Sequence, residues 1–202
     1  MRYGLRRTVA PTVEPITVAE VMASLDIQRD DQEDMLTRLI QTAREWAEEQ
    51  TNRQFISATW QFSLDRFPCG PILLPKCPVQ TVSSVTYMNA AGASTTFSSG
   101  SYQVVVDSEP AEIHVGYGLA WPATQDIPRA VVVEYIAGYG AAATDVPARV
   151  KSLLMLLVGG MYEFRESHIG EAGLTVISEI PAIRALMDSL RYGDDFHVYA
   201  AD

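Results

Sequence analysis

The sequence predicts an α+β protein in which a small helical bundle is interrupted by an antiparallel, β-rich insertion. Apolar residues recur at helical spacing over residues 17–52 and again after residue 145. Between these segments, short runs of alternating β-branched and aromatic residues are separated by Gly and Pro, which is typical of short strands. We therefore expect residues 1–55 and 141–202 to form a helical domain with extended termini, and residues 56–140 to form the β-rich insertion.

The first helical segment has clear start signals. Thr17, with Glu20 three residues later, forms a capping box for a short helix. The acids Asp30 and Asp31 lie where a second, longer helix begins. Apolar residues from Met35 to Ala47 form one stripe on that helix, which should end near Asn52. The opposite, polar face is predicted to consist of Arg38, Gln41, Arg44, Glu45, Glu48 and Glu49.

Five strands are predicted in the insertion, each a short run rich in β-branched or aromatic residues. They are residues 57–64, 78–88, 102–106, 112–115 and 131–136, with a turn at 89–94. Strands of this length and spacing indicate a small antiparallel sheet, sandwich or barrel. Residues 1–15 show no period and contain Pro11 and Pro15, so we interpret them as an extended arm.

The second helical segment begins after the last strand, with Asp145 as the predicted N-cap and Pro147 in the first turn. Residues 150–162 are apolar on nearly every side, and Met155 and Leu156 lie off the main apolar face. Because a helix that is apolar all round is buried all round, another subunit is expected to supply part of its cover. A final short helix is predicted over residues 181–190, followed by an acidic, aromatic tail at 193–202.

The composition limits the partners. The chain has 202 residues and a net charge of −10. A chain this acidic is not expected to wrap nucleic acid by neutralising phosphates, because that requires clustered Lys and Arg. An acidic surface would suit a channel through which DNA slides, because it repels phosphate. The alternative is that the charge only keeps the protein soluble. No apolar run approaches the ~20 residues needed to span a bilayer, and no signal peptide is present. We expect cytoplasmic synthesis and no membrane partner.

Signals for enzymatic chemistry are weak. Residues 138–143 fit the dinucleotide fingerprint G-x-G-x-x-A, but the helix signals begin later and the return strand of a βαβ unit is missing. A flexible linker is the expected structure. The three histidines are scattered, Cys69 and Cys77 cannot form a disulfide scaffold, and no nucleophile motif is present. We predict no catalytic, cofactor-binding or metal-binding residues.

The aromatic pairs Trp60/Phe62 and Tyr117/Trp121 leave two interpretations open. They could form a platform in a small ligand-binding or carbohydrate-binding module, or they could pack in the core of the sheet. The loop that carries Tyr117 and Trp121 is expected to expose both, which makes it a candidate protein contact.

The order of these features resembles the phage head–tail connector (head-completion adaptor) family of long-tailed phages, prophages and gene transfer agents. The segments that carry the resemblance are PITVAEVMASLDI, LTRLIQTAREWAEEQTNRQF, PVQTVSSVTY, GYGLAWP, VVVEYIAGYG and VPARVKSLLMLLVGGMYEFRE. The resemblance as a whole covers most of the chain.

The resemblance implies a non-enzymatic virion protein at the head–tail neck. It implies a homo-oligomeric ring, usually twelvefold, that is docked below the portal protein, contacts stopper or tail proteins and lets DNA pass without sequence-specific binding. The residues expected to serve these contacts fall into three groups. They are Phe196, His197, Val198 and Tyr199 for the portal; Met155, Leu156, Tyr117 and Trp121 between subunits; and Glu45, Glu48 and Glu49 along the channel.

Overall fold

A computed structural model describes residues 3–28, 30–163 and 180–192, and over these residues the α+β prediction is confirmed. The described residues contain four α-helices and eight strands in two antiparallel sheets. They divide into two compact units. The helical unit comprises residues 11–28, 30–56, 139–163 and 180–191, and the β unit comprises residues 3–10, 57–138 and 192.

The helical unit contains α1 (Val18–Ser24), α2 (Glu33–Thr51), α3 (Ala148–Glu163) and α4 (Pro181–Leu190). The predicted capping box is confirmed: the Glu20 amide donates to the Thr17 hydroxyl at 3.2 Å, and the Thr17 amide donates to the Glu20 carboxylate at 2.6 Å. The backbone hydrogen bond and then the side-chain hydrogen bond from Thr17 lower the pKa of Glu20. This contribution to stability is therefore present at neutral pH and is lost as the pH falls through the lowered value.

Each of the three longer helices contributes one apolar face to the core of the helical unit. The buried positions are Leu36, Ile40, Ala43 and Ala47 of α2, Val150, Leu153, Leu154, Leu157 and Val158 of α3, and Ile183, Met187 and Leu190 of α4. These are the faces that the helical spacing predicts, because residues three and four apart lie on one side of a helix. None of the described helices is both long and apolar enough to cross a lipid bilayer.

The start of α3 differs from the prediction. Asp145 is not its N-cap, because it closes a separate 3₁₀ turn, Ala143–Asp145, in which its carboxylate accepts from the Ala142 amide at 2.9 Å. Val146, which precedes a proline, is extended with φ −79° and ψ 128°. The helical conformation is sterically disfavoured for a residue that precedes proline. Val146 therefore stays outside α3, which begins at Ala148.

The β unit contains eight strands. They are β1 (Tyr3–Val9), β2 (Ala58–Leu64), β3 (Ile72–Leu74), β4 (Val79–Met88), β5 (Ser94–Thr96), β6 (Tyr102–Val105), β7 (Ala111–Val115) and β8 (Val131–Ala137). A five-stranded sheet has the order β1-β2-β8-β4-β5, and a three-stranded sheet has the order β3-β7-β6. The five predicted strands are all present, and β3 and β5 were not predicted as strands.

One core lies between the apolar faces of the two sheets. The larger sheet contributes Phe62, Leu64, Val85, Val131, Val133 and Tyr135, and the smaller sheet contributes Ile72, Leu74, Ala111 and Ile113. The phenol of Tyr135 donates to the Pro75 carbonyl, and burial raises the pKa of this side chain well above its usual value. The hydroxyl therefore stays protonated and acts as an internal hydrogen-bond donor.

The interpretation of residues 1–15 as an extended arm is wrong for residues 3–9. These residues form β1, an edge strand that pairs antiparallel with β2, with Leu5 opposite Phe62 and Arg6 opposite Gln61. Leu5 packs against the core of the β unit, whereas Arg6 is exposed. The strand forms because β2 offers a free edge next to a buried apolar face.

Candidate functional site

A buried ion cluster lies on α2, the helix whose polar face was predicted to line a channel. Arg44 donates to Glu14 at 2.7 Å and to Glu48 at 3.0 Å, and the side chains of Arg44 and Glu48 are each only 6% exposed. Burial disfavours the charged guanidinium, but the hydrogen bond to Glu14 and the nearby carboxylates outweigh it and raise the pKa of Arg44. The Arg44 guanidinium therefore stays charged in the folded protein and is shared between the carboxylates of Glu14 and Glu48.

The placement of Glu48 on an exposed polar face is wrong. Its second carboxylate oxygen accepts from the Gln54 side-chain amide at 2.6 Å and from the Phe55 amide at 3.0 Å. The segment after α2 folds back over this part of the helix and buries it, which helical spacing within α2 does not reveal. Glu45 and Glu49 are exposed, as expected for a polar face.

The apolar helix α3 keeps a partly uncovered side. Leu156 is 43% exposed, whereas Met155 is half-buried and packs against the core of the helical unit. The apolar sequence of this helix is the feature that predicts a subunit contact, and Leu156 is its exposed large apolar side chain within the described residues.

The loop after β7 projects an aromatic side chain into solvent. Tyr117 is fully exposed, and Leu119, two residues later, is 53% exposed. The loop is nevertheless braced: the Gly116 amide donates to the Ser101 carbonyl at 2.8 Å, and the Leu119 amide donates to the Gly116 carbonyl at 2.9 Å. Gly118 has φ +75°, a conformation that favours glycine.

Trp121 is only partly exposed. The loop was expected to expose both Tyr117 and Trp121, and this expectation is wrong for Trp121. Its ring stacks on Phe67 with centroids 4.7 Å apart, and its indole N–H donates to the Gly70 carbonyl at 3.2 Å. Phe97 packs against both rings, with centroids 6.1 and 5.5 Å away. Trp121 therefore anchors the loop while Tyr117 is presented outward.

An apolar pocket of about 450 Å³ opens on the helical unit. Its walls come from the segment before α1, from α1 and α2, and from the residues that precede α3. They include Val13, Ile16, Val18, Ile40 and Ala141–Ala143. The sequence does not reveal this pocket, because its wall is assembled from three separate segments, each of which shows only an ordinary apolar pattern.

Solved structures contain the same arrangement of helices and sheets. A chain in the virion of a native gene transfer agent particle matches with a TM-score of 0.75 and 22% identity, over 94% of this chain and 95% of that chain. This is the fold of gene transfer agent necks. A chain in the neck of an empty particle, computed with C6 symmetry, matches at 0.75 and 24% identity over 94% and 96% of the two chains. A chain in the neck of a native particle, computed with C12 symmetry, matches at 0.70 and 24% identity over 96% of each.

At this level of identity the likeness establishes the neck fold, and the resemblance seen in the sequence is confirmed to that extent. No family model matches the sequence, and a search of curated proteins finds no match.

Within the neck fold, the glycine-rich segment after β8 does not have nucleotide-binding geometry. Gly140 bridges to Ile56 in parallel, and a Cβ at Gly140 would lie 2.1 Å from a carboxylate oxygen of Asp145. The glycine therefore lets the chain pass close to Asp145. A helix that starts immediately at the fingerprint is required to meet a pyrophosphate, and α3 starts only at Ala148.

The remaining predictions concern metal-binding groups, the two cysteines and the portal contact. In the described ranges no group of three or more His, Cys, Asp or Glu side chains is arranged to hold a metal ion. Cys69 is exposed, Cys77 is buried, and both are free thiols. The predicted portal-contact residues Phe196, His197, Val198 and Tyr199 lie outside the described residues.

Proposed function

We propose that this protein is a non-enzymatic structural subunit of the neck of a phage-like particle. It is a head–tail adaptor that forms a homo-oligomeric ring, twelvefold by the resemblance, between the portal vertex of the capsid and the tail. The ring leaves a channel for DNA, which it does not read by sequence. The protein is made in the bacterial host cytoplasm and ends in the virion.

The observation that carries this proposal is the extent of the fold match. Two of the neck structures cover 94% and 96% of this chain and 96% of each matched chain, so the likeness extends over nearly all of both chains. Those necks were computed with C6 and C12 symmetry, which supports a rotationally symmetric ring for a chain of this fold.

The subunit contacts of the proposed ring use the exposed apolar residues. Leu156 on α3 and Tyr117 on the loop after β7 are uncovered in the described chain, and Met155 lies beside Leu156. Trp121 supports the contact by bracing the loop. Buried apolar anchors with Tyr enriched among them are what protein interfaces use for affinity.

The channel and portal contacts are proposed from charge and composition. Glu45 and Glu49 are exposed acids on α2 and are assigned to the channel, where they repel phosphate and keep DNA from adhering. Glu48 is not included, because its carboxylate is bound inside the helical unit. The tail residues Phe196, His197, Val198 and Tyr199 are assigned to the portal contact by strand addition.

Electron microscopy of portal-bearing heads tests this function. Heads from cells that lack the protein should end at the portal, and adding the purified full-length chain should create a ring of density below it. A variant without residues 193–202 should fold normally but fail to attach. A wild-type chain that never associates with portal-bearing heads would overturn the function, whereas normal attachment of the truncated chain would overturn only the tail contact.

A further inference from the structure

The exposed loop, residues 116–120, is a preformed apolar knob. Its sequence is GYGLA, with no charged residue, and it is held by two backbone hydrogen bonds and by the stacked Trp121 beside it. Tyr117 is fully solvent-exposed at the tip, and Leu119 adds an aliphatic side chain. Because the loop is already braced, ordering it on a partner costs little conformational entropy.

The pocket on the helical unit has the complementary chemistry. Its wall is almost entirely apolar, and its volume of about 450 Å³ lies in the range of sites that hold an aromatic ring with an aliphatic neighbour. Thr37 and Glu14 also line it, so that acceptors are available for a phenol hydroxyl. The Glu14 carboxylate is already paired with Arg44 at 2.7 Å. Because the loop carries no charge, its docking would not bury an unpaired charge in the pocket.

A ring requires two different surfaces on each subunit, because its interface is heterologous and each copy meets the next head to tail. The knob and the pocket are two such surfaces on one chain. We propose that residues 116–120 of one copy dock into the apolar pocket of the adjacent copy, with Tyr117 as the anchor. This inference rests on the proposed ring and identifies the residues on both sides of its subunit contact.

Site-specific cross-linking tests the contact directly. In a Cys69→Ser background, which removes the exposed native thiol, Tyr117→Cys is combined with Ala142→Cys in the pocket wall. Necks assembled on portal-bearing heads are treated with a short bismaleimide. A ladder of covalent dimers and higher multimers is expected, whereas pairing Ala142→Cys with Asp107→Cys, an exposed position at the opposite end of the β6–β7 pair, should give none.

Loss of the anchor gives an independent readout. Tyr117→Ser should weaken ring assembly by about tenfold or more, as expected for removal of a central aromatic anchor. Val106→Ser is the matched control, since Val106 is an apolar residue of the β unit that is 41% exposed. It should assemble as the parent does. Circular dichroism verifies that both variants are folded.

Several outcomes would overturn the contact while leaving the neck function intact. They are a product cross-linked only within one chain, the absence of a ladder in necks that assemble normally, and unchanged assembly of Tyr117→Ser. If Tyr117→Cys itself fails to attach to heads, the pair Leu119→Cys with Ala142→Cys retains the tyrosine and makes the same test. Failure of the wild-type chain to attach would instead count against the proposed function.

Discussion

At the scale of single residues, Glu48 shows how one carboxylate can fix the segment in which the chain leaves the helical unit. One oxygen accepts from Arg44 within the same helix, and the other accepts from the side chain of Gln54 and the backbone of Phe55, where the chain leaves the helical unit. Phe55 in turn accepts from the amide of Tyr139, where the chain returns. Glu48 thus fixes the exit segment to α2, and the backbone of Phe55 joins the return segment to the exit segment.

Replacing Glu48 by Ala should therefore be costly. It leaves the guanidinium of Arg44 with Glu14 as its main partner and removes the acceptor for two buried donors, a loss of about 3 kcal/mol in the free energy of unfolding. Urea denaturation followed by circular dichroism measures it. Glu45→Ala, which removes an exposed carboxylate 3.5 Å from the same guanidinium, should change the stability by less than about 0.5 kcal/mol. Equal losses in the two variants would contradict the internal role of Glu48.

At the scale of secondary-structure elements, β1 is the clearest difference between expectation and structure. The segment YGLRRTV is short and carries two adjacent arginines, so its alternation is weak. Its place at the sheet edge depends on β2, which is far away in the sequence: Tyr3 pairs with Leu64 and Val9 with Thr59. Arg6 and Arg7 on an edge strand also discourage edge-to-edge aggregation, a common use of charge at such positions.

Neighbouring residues of β1 allow a matched test, since they face opposite sides of the sheet. Leu5→Asp places a charge against the core of the β unit and should lower the free energy of unfolding by about 2 kcal/mol. Arg6→Asp, on the exposed side, should have a much smaller effect on the same unfolding measurement. If residues 3–9 were an unpaired arm, the two variants would be indistinguishable.

At the scale of the whole molecule, α3 connects the core to the proposed assembly. Five of its side chains are buried in the helical unit, while Leu156 remains 43% exposed. In the proposed ring a neighbouring copy covers this residue, because removing apolar surface from water favours association.

Leu156→Glu should separate folding from assembly. The monomer should keep its unfolding midpoint within a few degrees, because an exposed position tolerates a charge. Ring formation on portal-bearing heads should be lost, because the interface would have to bury an unpaired carboxylate. Val106→Glu provides a control of similar exposure on the β unit. Normal rings from Leu156→Glu would remove this side of α3 from the interface.

The sequence by itself determined the elements whose signals are local. Periodicity placed α2 and α4, Thr17 and Glu20 marked the start of α1, and alternation identified five of the strands. These predictions held because hydrogen bonds and side-chain spacing within a few residues decide them. The order of the segments also carried the resemblance that the fold comparison supports.

Only the tertiary structure decided which polar and aromatic residues face inward. Glu48 is bound by the segment that follows α2, and Arg44 is bound by Glu14, which precedes α1. Trp121 is packed against Phe67 and Phe97, and residues 3–9 form a strand because they pair with the edge of β2. The apolar pocket likewise joins three segments that are distant in the sequence. Burial depends on partners brought together from far along the chain, and a local pattern does not contain that information.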